Sequence, residues 1–410
     1  MTDSIYWDAH HEADSEYRGA AVSSDSDVAL LAYRGAAKRK GMLFWQGIEV
    51  ESPAEIMGVH MSRDEPIWTR QFGGDWDFSE VVGDAFYQCM TVNVLGAVAD
   101  VFCVGIRKGE DLWEILGLRA STGETVWVAE GTEPLPSHLD GKEGVLWFQA
   151  LDGTLARVDV TSGQQTEVLK GGQDGVFAAT DAGGCLHYSE EAATLTRVGI
   201  GGAVQWSASC SRSTVQALEE GVVVRGGRCV MVDATGIRGL DDDTGEENWA
   251  VQPEIFEGSD TATISGVGRF ILLQVAGKQQ VLFLDAEDGT VHTPIPEVEP
   301  LFWGSWGTED ALSCGKSGVW QLPAGESSIP RVLWKLEEEQ RLIQWVNGEN
   351  PVVLVLAGGS EDPSLHVGSF TSGEGLQTWM TLEQDAIPGM SAFPGGVILT
   401  TETGIQVVRP

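Results

Sequence analysis

The feature that most constrains this chain is a glycine turn followed four residues later by tryptophan, repeated along its length. It stands at Gly123 with Trp127, Gly202 with Trp206, Gly245 with Trp249 and Gly375 with Trp379. Weaker copies fill the intervals: Gly163 with Glu167 in place of tryptophan, Gly289 with Thr293, and Pro330 with Trp334. The turn positions 123, 163, 202, 245, 289, 330 and 375 fall 39 to 45 residues apart. A period of that size over some 250 residues identifies one supersecondary unit stacked many times. It excludes a chain of unrelated domains.

Each unit reads as short strands. The pair Val158-Asp159, Leu240-Asp241 or Leu284-Asp285 precedes three of the turns, and Leu118-Arg119 departs at the acidic place. An alternating strand thus ends in a polar turn, where glycine accepts a positive φ and aspartate bonds local amides. The chain then returns as a strand carrying tryptophan. Between anchors there is room for two more strands, such as residues 144–149 and 154–158, and no amphipathic helical period interrupts them. With 52 glycines and 42% hydrophobic residues, the composition fits neither a disordered chain nor a helical bundle. Four short strands per roughly 42 residues make one antiparallel blade, so the expected fold is an all-β propeller. Trp127, Trp206, Trp249, Trp334 and Trp379 are expected to dock blades together, each burying about 150–250 Å² and offering its indole N–H to a carbonyl.

The T-G-E-x-x-W turns at 122–127 and 244–249 resemble the PQQ-like repeat family, the quinoprotein-type and BamB-like propellers. The resemblance covers about residues 110–380 and implies a non-catalytic member. Catalytic quinoproteins of the family carry an adjacent Cys-Cys pair, a calcium-binding set and a stacking tryptophan, and this chain has no Cys-Cys. No cofactor is therefore expected. A WD40-like assignment fits less well, because Trp-Asp at 7–8 and 76–77 does not recur at the repeat spacing.

Eight blades of about 42 residues leave roughly 74 of the 410 residues over, mostly near the N-terminus. Eight is the expected count within a range of seven to nine, nine applying if residues 28–72 form a complete blade. Residues 1–27 are read as an N-terminal segment with a possible closing strand, 28–110 as irregular, insertion-bearing blades, and 111–380 as the regular PQQ-like blades. Only three strands fit in 381–410, so the last blade needs a fourth from the N-terminal region, either residues 5–7 or 67–72. Such pairing of N- and C-terminal strands closes a ring and removes its edges.

Sixty-one acidic against 25 basic residues give a formal net charge of −36, which repels phosphate backbones and argues against direct nucleic-acid binding. No apolar run reaches membrane-spanning length, and the first residues show no signal-peptide pattern, so a cytoplasmic chain without membrane insertion is expected. The six cysteines, scattered without C-x-x-C, read as buried thiols rather than a disulfide framework or zinc site. Cys314-Gly315-Lys316-Ser317 echoes a phosphate-binding loop, but Asp310 stands where glycine is required and a strand pattern follows, so a hairpin turn is expected. The acidic run 241–247 is read as a repeat turn, and the histidines offer no metal set. Catalytic, cofactor and metal residues are accordingly assigned as none.

Two features point outward. Arg34, Lys38, Arg39 and Lys40 form the basic cluster of an acidic chain, between residues 28–33 and 42–45, where a hairpin tip is expected. Aromatics gather at Trp76 and Phe78 and at Trp303 and Trp306, off the repeat register. Both are candidate partner-binding positions. The expected function is a non-enzymatic interaction scaffold, a rigid subunit of a soluble multiprotein assembly whose partners are other protein subunits. Two alternatives stay open: an enzyme or a small-ligand or ion sensor using the central channel, and a BamB-like envelope assembly factor, which requires an exported form.

Overall fold

The computed structural model describes residues 4–7, 17–23, 25–33, 36–40, 47–61, 66–72, 92–108, 112–132, 139, 144–170, 175–180, 184–189, 192–210, 222–225, 227–233, 236–251, 262–275, 281–292, 300–306, 310–315, 318–322, 331–336, 340–346, 352–357, 364–371, 375–382, 389–393, 396–401 and 404–408. Among these the secondary structure is all β, with no helix, and so none long and apolar enough to cross a membrane. The strands form eight four-stranded antiparallel sheets, one three-stranded sheet and a separate two-stranded ribbon. Numbered along the chain, blade 1 spans residues 17–72, blade 2 spans 92–131, blade 3 spans 145–169, blade 4 spans 175–209 and blade 5 spans 222–251. Blades 6 to 9 span 262–292, 300–335, 341–382 and 389–408.

Apolar faces join each sheet to the next. Leu30 and Ala54 of blade 1 share a buried cluster with Phe102 and Val104 of blade 2, and Ile115 of blade 2 with Leu146 and Val158 of blade 3. Trp147 meets Cys185 and Val198 across blades 3 and 4; Tyr188 meets Met231 across 4 and 5; Val232 meets Ile271 across 5 and 6. The strand Ala262–Val267 lies beside Pro300–Trp306 at the next junction. Val319 packs with Val353 across blades 7 and 8, Leu354 with Leu399 across 8 and 9, and Ile398 of blade 9 returns to Leu31 of blade 1. The succession closes on itself, which makes the fold a β-propeller.

This packing explains two strand patterns. Inner strands such as Val28–Tyr33 are buried at every position, because both faces of the sheet are covered by neighbouring sheets. The strand Thr125–Gly131, at the edge of its sheet, alternates exposed and buried residues toward its end, as expected where one face is solvated.

The expected range of seven to nine blades holds. Eight matches the number of four-stranded sheets, and the three-stranded blade 3 makes the ninth sheet. The extra sheet comes from the N-terminal region. Residues 28–72 supply three strands of blade 1, and Tyr17–Val22 supplies the fourth. Closure uses Ser4–Trp7, which pairs antiparallel with Gly404–Val408, Ser4 opposite Val408. The other candidate, residues 67–72, is instead the edge strand of blade 1.

Candidate functional site

The repeat turn and the tryptophan form one device. Gly123, Gly163, Gly245 and Gly289 have φ of 71°, 72°, 73° and 74°, and each donates its N–H to the carbonyl four residues back, at Arg119, Asp159, Asp241 and Asp285. A β-carbon at Gly163 would meet a positive-φ backbone and also lie 2.5 Å from Trp127 Cβ. Glycine is needed there for conformation and for space.

The indoles lie across the junctions. Trp68 donates to Ala120 O at 2.7 Å, Trp127 to Val160 O at 2.7 Å, Trp206 to Asp242 O at 2.7 Å and Trp249 to Ala286 O at 3.1 Å. In each case the acceptor is three residues before the turn glycine of the next blade. On its own blade the indole covers another glycine: a β-carbon at Gly58, Gly117 or Gly239 would fall 2.1 to 2.3 Å from the rings of Trp68, Trp127 and Trp249. Trp334 packs against the cluster shared by blades 7 and 8, and Trp379 against that of blades 8 and 9. Trp68 has the same geometry but was not among the tryptophans picked out by the repeat, for want of a glycine turn before it.

Blade 3 departs from the pattern. It has Glu167 where tryptophan would stand, and Arg157 where blades 2 and 5 have Gly117 and Gly239. The Arg157 guanidinium donates across the junction to Ile200 O, two residues before the turn glycine Gly202 of blade 4. One cation thus replaces an indole donor in the space that the missing ring leaves.

Blade 4 keeps both groups. Trp206 stands opposite Arg197, whose buried guanidinium forms a two-point pair with Asp242 of blade 5, Nε to Oδ1 at 2.9 Å and Nη2 to Oδ2 at 3.1 Å. The remaining nitrogen donates to Val198 O at 3.0 Å. Fork geometry of this kind joins two sheets at fixed register.

The turn aspartates act locally. Asp159 Oδ1 accepts from Ser162 N at 2.8 Å, Ser162 Oγ at 2.7 Å and Thr161 Oγ1 at 2.9 Å. Asp241 Oδ1 accepts from Thr244 N, Thr244 Oγ1 and Asp243 N at 3.0 to 3.1 Å. The bonds from Ser162, helped by Thr161, hold the Asp159 carboxyl below the ordinary carboxylate value. Its folded value lies below its unfolded one, near 3.9, so its contribution is complete above that range and is lost as pH falls through the folded value. Asp159→Asn is therefore expected to melt below wild type at pH 7, with the two curves converging as pH falls through the folded value. Thermal unfolding between pH 2 and 7 measures this, and a pH-independent gap would contradict it.

Cys103, Cys185, Cys210 and Cys229 are buried and form no disulfide. Burial pushes the Cys103 and Cys229 thiols above their ordinary value, which keeps them protonated. Burial also lowers the His187 imidazole. His366 lies between two hydroxyls on blade 8, Nε2 to Ser364 Oγ and Nδ1 to Thr381 Oγ1, both at 3.0 Å. Among the described residues no group of three His, Cys, Asp or Glu side chains is placed to hold a metal ion. The strand Gly318–Leu322 follows the Cys314-Gly315-Lys316-Ser317 segment, so the context of a phosphate-binding loop is absent there.

The candidate partner-binding positions that are described fall on separate elements. Lys38, Arg39 and Lys40 lie in the strand Ala36–Lys40, paired antiparallel with Gly47–Ser52. They belong to a strand rather than to a hairpin tip; residues 41–46, including the expected strand at 42–45, lie outside the described residues, as do Arg34, Trp76 and Phe78. Trp303 and Trp306 sit in the first strand of blade 7, opposite Ser313 and Asp310. They are part of a regular sheet.

Comparison by sequence matches no family model and no curated protein. By structure, the chain is similar to BamB from Moraxella catarrhalis at 14% identity, covering 99% of this chain and 98% of that one, with a TM-score of 0.38. It is similar to Sqt1 from Saccharomyces cerevisiae at 10% identity, covering 100% and 98%, TM-score 0.43. A third likeness is to the dihydro-heme d1 dehydrogenase NirN at 10% identity, covering 92% and 77%, TM-score 0.44. These likenesses concern the propeller fold alone, and one of the three proteins is an enzyme.

Proposed function

We propose that this chain is a non-enzymatic propeller subunit that binds other proteins, with the ribbon of blade 1 as its docking element. The observation that carries the reading is the strand Ala36–Lys40. It places Lys38, Arg39 and Lys40 in succession, in a chain of net charge −36, on a ribbon that belongs to none of the nine sheets. A cationic element in an anionic field attracts anionic surfaces and holds the rest of the molecule away from them, which sets orientation and association rate. The ring behind it is locked at successive junctions by indole and guanidinium donors, so the platform is stiff. The reading includes a reducing, cytoplasmic setting, supported by buried cysteines outside any disulfide.

The test is affinity capture from the native host with wild type and a Lys38→Glu, Arg39→Glu, Lys40→Glu variant. Specific partners are expected to be lost from the variant, and lost from wild type as salt rises, with unfolding midpoints unchanged. Capture of the same partners by both proteins would overturn the reading.

A further inference from the structure

We infer that the ribbon accepts an extended, acidic segment of a partner protein as a third strand, added along the free edge of Ala36–Lys40. The inference rests on the platform reading above and specifies how the platform binds.

The ribbon is an insertion that blade 1 does not use. The strands on either side of it, Val28–Tyr33 and Ala54–His60, pair directly with each other, from Val28 opposite His60 to Tyr33 opposite Glu55. Blade 1 is complete without residues 36–52. Within the ribbon Lys38 stands opposite Glu49, Arg39 opposite Ile48 and Lys40 opposite Gly47. Among the described residues no third strand joins this pair. Among the described residues each strand therefore has one paired edge and one edge where no ladder partner stands. Two-stranded ribbons are marginal in water, and a third strand is what stabilises them.

Charge selects the edge and the occupant. The strand Gly47–Ser52 carries Glu49 and Glu51, which repel an acidic segment, whereas Ala36–Lys40 carries three consecutive cations. Opposite charges at cross-strand positions stabilise a pair, and like charges oppose it. Lysine on an edge strand commonly serves to keep other edges away. In this chain that explanation has the wrong sign. Copies of a molecule with net charge −36 already repel one another, and a cationic edge weakens that repulsion. It favours an anionic strand, recognised through the backbone by strand addition.

The probe is an acetylated, amidated seven-residue peptide of alternating valine and glutamate, added to the full chain. Its controls are the same peptide N-methylated at every residue, which keeps the charge and removes the donors. Wild type is expected to bind the first peptide at least tenfold more tightly than the second. Lys38→Glu, Arg39→Glu, Lys40→Glu is expected to lose at least tenfold, and the milder Lys38→Gln, Arg39→Gln, Lys40→Gln serves if the reversal perturbs folding. Equal binding of the two peptides, or binding of neither, overturns strand addition while partner capture through the ribbon can still stand. Equal capture of native partners by wild type and variant overturns the platform reading itself. Self-association of wild type without peptide, lost on charge reversal, would identify the occupant as a second copy and overturn the acidic-partner assignment.

Discussion

Trp127→Ala is expected to destabilise the fold by about 3–5 kcal/mol, the range for deleting a large buried aromatic. The residue is 7% exposed, and its ring fills the space between Gly117 of its own blade and Gly163 of the next. Neither glycine has a side chain that could relax into the cavity. The substitution also removes the indole donor that reaches the Val160 carbonyl from across the junction, and an unpaired buried acceptor carries its own cost. Trp127→Phe separates the two effects, since it keeps much of the ring and loses the donor. Chemical denaturation measures both variants; a loss under about 1 kcal/mol for alanine would show that the indole does not hold the blades together.

Arg197→Ala is the second large effect, again about 3–5 kcal/mol, because it strands the Asp242 carboxylate without its partner. Both groups are largely shielded, with side-chain exposures of 4% and 12%, so added salt should change the result little. Asp242→Ala should cost a similar amount, and the double variant Arg197→Met, Asp242→Leu much less than their sum, since apolar groups of similar volume can replace a buried pair. Additive losses in that cycle would mean that the two residues act independently.

How legible these features were in the sequence depended on whether the chemistry repeated. Gly123 with Trp127 and Gly245 with Trp249 were readable because the same local turn and the same side chain recur at one period. Trp68 does the same work but follows Asp64, Glu65 and Pro66 rather than a glycine turn, and it precedes Trp127 by more than one period. Arg157 was hidden for a different reason: the lost tryptophan is compensated on a neighbouring strand by another residue type, so no position shows a conserved pattern. Arg197 and Asp242 lie about one repeat apart, a separation that places residues on successive blades, yet neither is marked by composition. The basic cluster was visible as charge, but its place in a paired strand outside the blades depended on long-range pairing of Val28–Tyr33 with Ala54–His60.

The seam of the ring has a consequence in time. Ser4–Trp7 has its partner in Gly404–Val408, on the far side of blades 1 to 8 in the chain, so it waits for that distant strand before it can pair. Blades 2 to 8 are each assembled from consecutive strands and can form as they emerge, but blade 9 cannot be completed by local chain alone. Closing so long a loop costs entropy that grows with the logarithm of its length and is recovered only when the contact is made. Until that contact forms, the propeller is an open arc with a bare sheet edge.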